Sequence, residues 1–256
     1  MTQKITTGAH QAVDPRLAGL RRIAIVPAYN EVGAIESVIA EIRAVDPALA
    51  IVVMDDGSSD GTAARALELG VEVVRLPYNL GIGGAMQAGY QYAREQGFDL
   101  AIQVDGDGQH DPREIAKLVE PILEGVADMV VGTRFAGGKH YRPPFARRIG
   151  IQIFAAVVSL IVHQRVTDTT SGFRAVNRLG IALFAADYPH DYPEVETTVL
   201  VHRHRMRMVE VPVGMRTRAT GRSSITIFQS IYYMLKVSLA LFVGLFRRHS
   251  PPVEGE

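Results

Sequence analysis

The sequence predicts an α/β fold, a mostly parallel sheet with helices on both faces, and three observations predict it. Short apolar, β-branched runs alternate with helical periodicity between residues 22 and 131, the pattern of βαβ units. Ile23–Val26, Ala50–Met54 and Met129–Val131 are apolar at successive positions, as in strands covered on both faces. Each ends in a polar or glycine-rich loop: Pro27–Glu31, Asp55–Asp60, Asn79–Gly84 and Asp105–His110. Open α/β sheets bind ligands at the carboxyl ends of their strands, so four such loops at one edge outline a site.

In chain order, residues 1–20 read as a loose lead-in and 21–224 as the domain that carries these loops. Ile23–Val26 is a strand stopped by Pro27, and 32–45 a helix with Ile35, Val38, Ile39 and Ile42 on one face. Ala50–Met54 is the second strand, 62–69 a helix closed by Gly70, and Val71–Leu76 the third strand. Gly81-Ile82-Gly83-Gly84 leads into a helix from Ala85 to Gln96, and Leu100–Val104 is the fourth strand. Asp111 caps a helix over 112–124, with Pro112 at its first position, and Met129–Val131 is the fifth strand. Gly81 and Gly83 do not make a dinucleotide fingerprint: its third glycine would fall at Met86, and the loop follows the third strand.

Composition narrows the function. The 27 basic and 27 acidic residues cancel, which argues against a nucleic-acid partner. No cysteine is present, which excludes disulfides and thiolate metal sites and fits a cytoplasmic protein. Residues 134–148 hold Arg134, Lys139, Arg142, Arg147 and Arg148 without an acid, and 201–222 hold six arginines against Glu210 alone.

Asp105 and Asp107 stand two apart with Gly106 between, which on an extended segment puts both carboxylates on one face. Carboxylates that close repel unless a positive charge lies between them. Such oxygen-rich sites suit Mg²⁺ or Mn²⁺ completed by substrate phosphates. A plain surface turn is the competing reading of an isolated Asp-x-Asp.

Four segments in this order and spacing resemble the inverting family 2 glycosyltransferases of the GT-A fold, a Rossmann-like architecture: Val26–Glu31, Met54–Thr62, Asn79–Gly81 and Asp105–His110. Within that family the chain looks most like the polyprenyl-phosphate group that includes dolichyl-phosphate mannosyltransferase. Three further details carry the narrower resemblance: Gln109 two positions after the Asp-x-Asp, the Ser171-Gly172-Phe173-Arg174 segment, and Arg218-Ala219-Thr220-Gly221-Arg222-Ser223-Ser224. The last departs at Ser224, where the group carries lysine.

The resemblance implies a metal-dependent transfer of a hexose-type sugar from a UDP- or GDP-sugar to a polyprenyl phosphate. It implies that Pro27, Ala28, Tyr29, Glu31 and Gly81 line the nucleotide-sugar pocket together with Asp105 and Gly106. Asp56 would reach the base or ribose, with a turn cap as the alternative. Asp105, Asp107 and Gln109 would hold Mg²⁺ or Mn²⁺ on the donor diphosphate. Arg134, Arg147, Arg148, Arg174, Arg218 and Ser223 would cradle the acceptor phosphate, with Arg134 and Arg218 counted as catalytic beside the two aspartates. A phosphate acceptor is already anionic near neutral pH, its second pKa being about 6, so it needs charge balance more than a base. Glu194 and Glu196 belong to no evident catalytic motif, which favours that acceptor over a sugar hydroxyl in cell-wall or exopolysaccharide synthesis. The alternative from another class is a non-catalytic nucleotide-sugar-binding subunit.

Ile149–Val162 is too short to span a bilayer and reads as a core or interfacial helix. Residues 225–256 read as amphipathic helices and a tail, with 225–248 lying on the membrane and Arg247 and Arg248 at anionic head groups. The competing assignment for that stretch is an oligomer interface or a core helix. The implied location is cytoplasmic, peripheral on the inner membrane face, by direct docking or through a small membrane partner.

Overall fold

A computed structural model describes residues 14–134 and 145–216, with side chains of 145–153 outside the described set. Within these residues seven strands form one sheet in the order β3-β2-β1-β4-β6-β5-β7. They are β1 (Arg22–Ala28), β2 (Ala50–Asp55), β3 (Glu72–Arg75), β4 (Leu100–Gln103), β5 (Met129–Thr133), β6 (Arg174–Asn177) and β7 (Met208–Pro212). The pairs β1/β2, β1/β4, β2/β3 and β5/β7 are parallel, and β6 runs antiparallel to both β4 and β5.

Both faces are covered. Along β1, Ile23 and Ile25 join the apolar layer under α3 (Gly81–Glu95), α5 (Phe145–Val162), α6 (Arg178–Ala186) and α7 (Pro193–Arg203). Ala24 and Val26 join the opposite layer under α1 (Ile35–Val45) and α4 (Ile115–Leu123). The same alternation in β2 sends Val52 and Met54 one way and Ile51 and Val53 the other. That is why these strands read as unbroken apolar runs. The short α2 (Thr62–Glu68) links β2 to β3 and is followed by Gly70 at φ +69°.

The structure corrects several expected boundaries. Helix α3 starts at Gly81, four residues before Ala85. The glycines that suggested a loop are required by packing: a Cβ on Gly83 would lie 2.6 Å from the backbone of His190. Helix α1 starts at Ile35 rather than 32, because Glu31 O first accepts turn hydrogen bonds from Ala34 and Ile35. Asp111 does cap, but it caps a 3-10 turn over Pro112–Glu114 that passes into α4. Helix α5 begins at Phe145 rather than Ile149, and its Phe154, Val158 and Val162 are buried, as in a core helix. Among the described residues no helix is long and apolar enough to cross a membrane. The lead-in to residue 13, Arg218, Ser223 and the whole of 225–256 lie outside the described residues.

Candidate active site

Four loops meet at the carboxyl ends of β1 to β4. The loop after β1 is laced to the loop after β2: Asn30 N–H donates to Ser58 Oγ and Ser59 N–H to Asn30 Oδ1, both at 2.9 Å. Glu31 N–H donates to Thr62 Oγ1 (2.9 Å). Asp60 accepts from Thr62 N–H (3.0 Å) and Val32 N–H (3.2 Å), the capping role its sequence position suggests. Pro27 and Ala28 are buried at the floor of this edge, and Tyr29 is half exposed above them. Asp56 is buried, and its two oxygens accept from Leu80 N–H (2.7 Å) and Gly81 N–H (2.9 Å) at the start of α3. In this geometry Asp56 joins the β2 and β3 loops, so Asp56 and Gly81 form one unit.

The Asp-x-Asp segment sits just past the end of β4. Gly106 N–H donates to Pro27 O (3.1 Å), and a Cβ on Gly106 would come within 3.0 Å of that oxygen. Pro27, Ala28 and Gly106 are therefore in contact. The two aspartates lie in a turn, not on the face of an extended strand, because β4 ends at Gln103 and the chain reverses through Gly108 at φ +75°. Asp107 accepts from Gln109 N–H (3.0 Å) and Gln109 Nε2 (2.6 Å). Asp105 accepts from Gln103 Nε2 (3.0 Å) and faces His110 Nε2 at 3.6 Å. Two carboxylates and a carboxamide in one turn make a hard oxygen donor set that suits Mg²⁺ or Mn²⁺. Among the described residues no group of three or more His, Asp or Glu that could hold a metal ion is present.

Beyond β4 the site is bounded by residues from β5, β6 and α7. Arg134, just after β5, lays its fork on Asp168: Nε to Oδ2 at 2.8 Å and Nη2 to Oδ1 at 2.7 Å. The Asp168 side chain is fully enclosed. Arg134 N–H also donates to Asp168 (3.1 Å), and Glu210 accepts from Thr167 and Asp168 N–H at 2.9 and 3.0 Å. Arg174 does not present its guanidinium to the cleft. It is 1% exposed and holds Ser171 O, Glu194 O and Thr197 Oγ1, so it clamps the Ser-Gly-Phe-Arg loop to the first turn of α7. Residues there must fit closely: a Cβ on Gly172 would meet Gln103 Nε2 at 2.8 Å and Asp105 Oδ2 at 3.3 Å.

Glu194 opens α7 beside this group. Burial pushes its carboxyl above the usual range, with Arg174 pulling it down and Asp105 pushing it up. The same neighbourhood raises the Tyr188 hydroxyl, again chiefly by burial. Glu194 thus stands within electrostatic reach of Asp105, Arg174 and Arg134, although its sequence carries no motif. The resemblance likewise gives no role to His110, Gln103 or Asp168. The available signals were proximity to motifs: His110 ends the Asp-x-Asp segment, and Asp168 stands three residues before Ser171.

The structure brings Pro27, Ala28, Glu31, Asp56, Gly81, Asp105, Gly106, Asp107 and Gln109 to one edge. Arg147 and Arg148 fall in the first turn of α5, with side chains outside the described set. Before residues 217–224 the chain is tied to the acidic turn: Met215 bridges His110, and Arg216 N–H donates to Gln109 O (2.8 Å).

The sequence model for Glycosyl transferase family 2 matches residues 23–178. An undecaprenyl-phosphate mannosyltransferase of Micrococcus luteus is 31% identical over 216 residues, covering 81% of this chain and 88% of the relative. A polyprenol monophosphomannose synthase of Mycolicibacterium smegmatis is 30% identical, covering 80% and 81%. The crystal structure of glucosyl-3-phosphoglycerate synthase from Mycobacterium tuberculosis, in complex with Mn²⁺, UDP and phosphoglyceric acid, superposes with a TM-score of 0.70 at 20% identity. It covers 93% of this chain and 82% of that one, a likeness of fold.

Proposed function

Because the chain belongs to glycosyl transferase family 2, we propose that it moves a hexose-type sugar from a nucleotide-sugar to a polyprenyl phosphate. A lipid phosphate oxygen forms the new bond to C1 of the sugar, and the bond from C1 to the diphosphate oxygen breaks. The configuration at C1 inverts, and a nucleoside diphosphate leaves.

The observation that carries this reading is the joint placement of Asp105, Asp107 and Gln109 at the edge that also presents Asp56 and Gly81. The loops of β1 to β3, with Pro27, Ala28, Tyr29, Glu31 and Asp56, hold the nucleoside. Asp105, Asp107 and Gln109 hold Mg²⁺ or Mn²⁺, which when bound supplies Lewis-acid neutralisation of the departing diphosphate, worth several kcal/mol. The acceptor phosphate enters from the β5–β6 side. There Arg134, fixed on Asp168, supplies positive potential, and the resemblance assigns Arg218 and Ser223, which lie outside the described residues, to the same phosphate. The polyprenyl relatives support this acceptor. A lipid substrate also supports peripheral docking on the cytoplasmic membrane face.

The test is release of nucleoside diphosphate from UDP-, GDP- and dTDP-sugars, with and without polyprenyl phosphate. Release that depends on the lipid and on Asp107 is expected. Full turnover by Asp107→Ala contradicts the site. One observation favours a second reading: Glu194 is a half-buried acid within electrostatic reach of Asp105, its carboxyl raised by burial, and such a group suits a base for a sugar hydroxyl. Loss of transfer in Glu194→Gln together with indifference to the lipid would select it.

A further inference from the structure

His110 is buried inside the acidic turn and contacts three separate parts of the molecule. Its ring stacks on Phe173 of the Ser-Gly-Phe-Arg loop, centroids 4.7 Å apart and planes at 13°. Its backbone bridges Met215, beside the Arg216 tie. Its two nitrogens both face Asp105: the Asp105 backbone N–H donates to Nδ1 at 3.0 Å, and Nε2 lies 3.6 Å from Asp105 Oδ2.

The first contact decides the second. A backbone N–H can only donate, so Nδ1 is an acceptor without hydrogen, and the ring hydrogen of the imidazole sits on Nε2. That hydrogen lies on the side of Asp105 Oδ2, at an N···O separation of 3.6 Å that makes an electrostatic contact and not a hydrogen bond. The other Asp105 oxygen receives Gln103 Nε2 (3.0 Å). Each oxygen thus faces one protein donor, and a carboxylate with about four acceptor sites retains capacity for a cation. Phe173 and the buried position keep the ring from turning. A ligand held in this way has its direction set before the ion arrives.

We propose that His110 is a positioning residue for Asp105, anchoring its main chain through Nδ1 and aiming its carboxylate through Nε2–H at a divalent cation. This rests on the reading of Asp105 as a metal-diphosphate residue.

The experiment measures Mn²⁺ binding by loss of the free-ion EPR signal, with UDP present and in a parallel series with GDP. It compares the parent with Asp105→Ala, His110→Asn and His110→Gln, and reads unfolding midpoints beside it. Asn places an acceptor near Nδ1 and lacks the Nε2 donor; Gln does the reverse. The proposal expects His110→Asn to keep the parental unfolding midpoint while Mn²⁺ affinity falls by about 10–100-fold, the usual effect of losing such a partner. At saturating Mn²⁺ its kcat and the KM for donor return towards parental values. Folded His110→Asn with parental Mn²⁺ affinity overturns the proposal. Should His110→Asn fail to fold, His110→Gln carries the test: parental Mn²⁺ affinity supports it and a matching loss overturns it. Parental affinity in Asp105→Ala instead removes the underlying metal reading, whatever the histidine variants do.

Discussion

Replacing Asp168 by alanine removes the counter-charge of Arg134 from an enclosed place. The Asp168 side chain has no exposed surface and that of Arg134 is 16% exposed. The carboxylate accepts from Arg134 Nε, Nη2 and N–H and from Thr170 N–H, at 2.7–3.2 Å. Asp168→Ala leaves a mostly buried guanidinium and two backbone donors without it. Breaking one partner of such a pair costs about 3–5 kcal/mol, a large part of the roughly 5–15 kcal/mol that holds a domain folded. Asp168→Asn keeps the shape and one acceptor oxygen and exchanges charge-assisted bonds for neutral ones, a loss of about 1.5–3 kcal/mol. Arg134→Met combined with Asp168→Ala removes both charges, so the double variant is more stable than Asp168→Ala alone. Urea unfolding followed by far-UV circular dichroism measures all three, since the chain has no tryptophan to report by fluorescence. A loss below about 1 kcal/mol for Asp168→Ala, or simple additivity in the double variant, refutes the reasoning.

Three further outcomes follow from the same contacts. Gly172→Ala drives a Cβ to within 2.8 Å of Gln103 Nε2; displacing that amide from Asp105 raises the Mn²⁺ requirement of turnover, and an unchanged requirement contradicts the contact. Burial holds the folded-state Glu194 carboxyl above its ordinary 4.5. Its stabilising contribution is therefore complete below that value and is lost as pH rises through the folded pKa. Glu194→Gln accordingly gains stability over the parent at neutral pH, and the gain shrinks towards pH 4.5; a pH-independent difference in urea midpoint argues against it. Asp128 behaves oppositely: hydrogen bonds from the Arg207 side chain hold its carboxyl below the ordinary 3.8. Its contribution is present above that value and disappears as pH falls through the folded pKa. Asp128→Asn therefore flattens the acid limb of the stability curve, and equal limbs in parent and variant are the contrary result.

Local sequence carried β1 and β2 because each is covered on both faces and is apolar along most of its length, and it carried the edge strand β3 by its short β-branched centre, Val73-Val74. It carried the loops because every one must turn at the same edge. It did not carry β6 or β7. Arg174–Asn177 is four residues long and starts with a buried arginine, and its antiparallel insertion between β4 and β5 depends on partners remote in the chain. Local sequence puts the start of α3 too late because glycine suggests conformational freedom, whereas here Gly83 is needed for close contact with His190.

In the site, residue types were legible and partners were not. The motif marked Arg174 as charged and functional, yet only packing reveals that its guanidinium serves Ser171, Glu194 and Thr197. Glu194 went unassigned because its importance lies in burial beside Arg174 and Asp105, which no spacing along the chain encodes.

The central claim, sugar transfer onto a polyprenyl phosphate at the Asp105–Asp107 edge, is tested most directly by following a radiolabelled sugar. The enzyme is incubated with labelled nucleotide-sugars, Mn²⁺ or Mg²⁺ and polyprenyl phosphate, and the products are partitioned between water and organic solvent. The account predicts label in the organic phase that requires the lipid phosphate and the divalent ion and is lost in Asp107→Ala. Label transferred only to a water-soluble acceptor, with the lipid present and ignored, would contradict it.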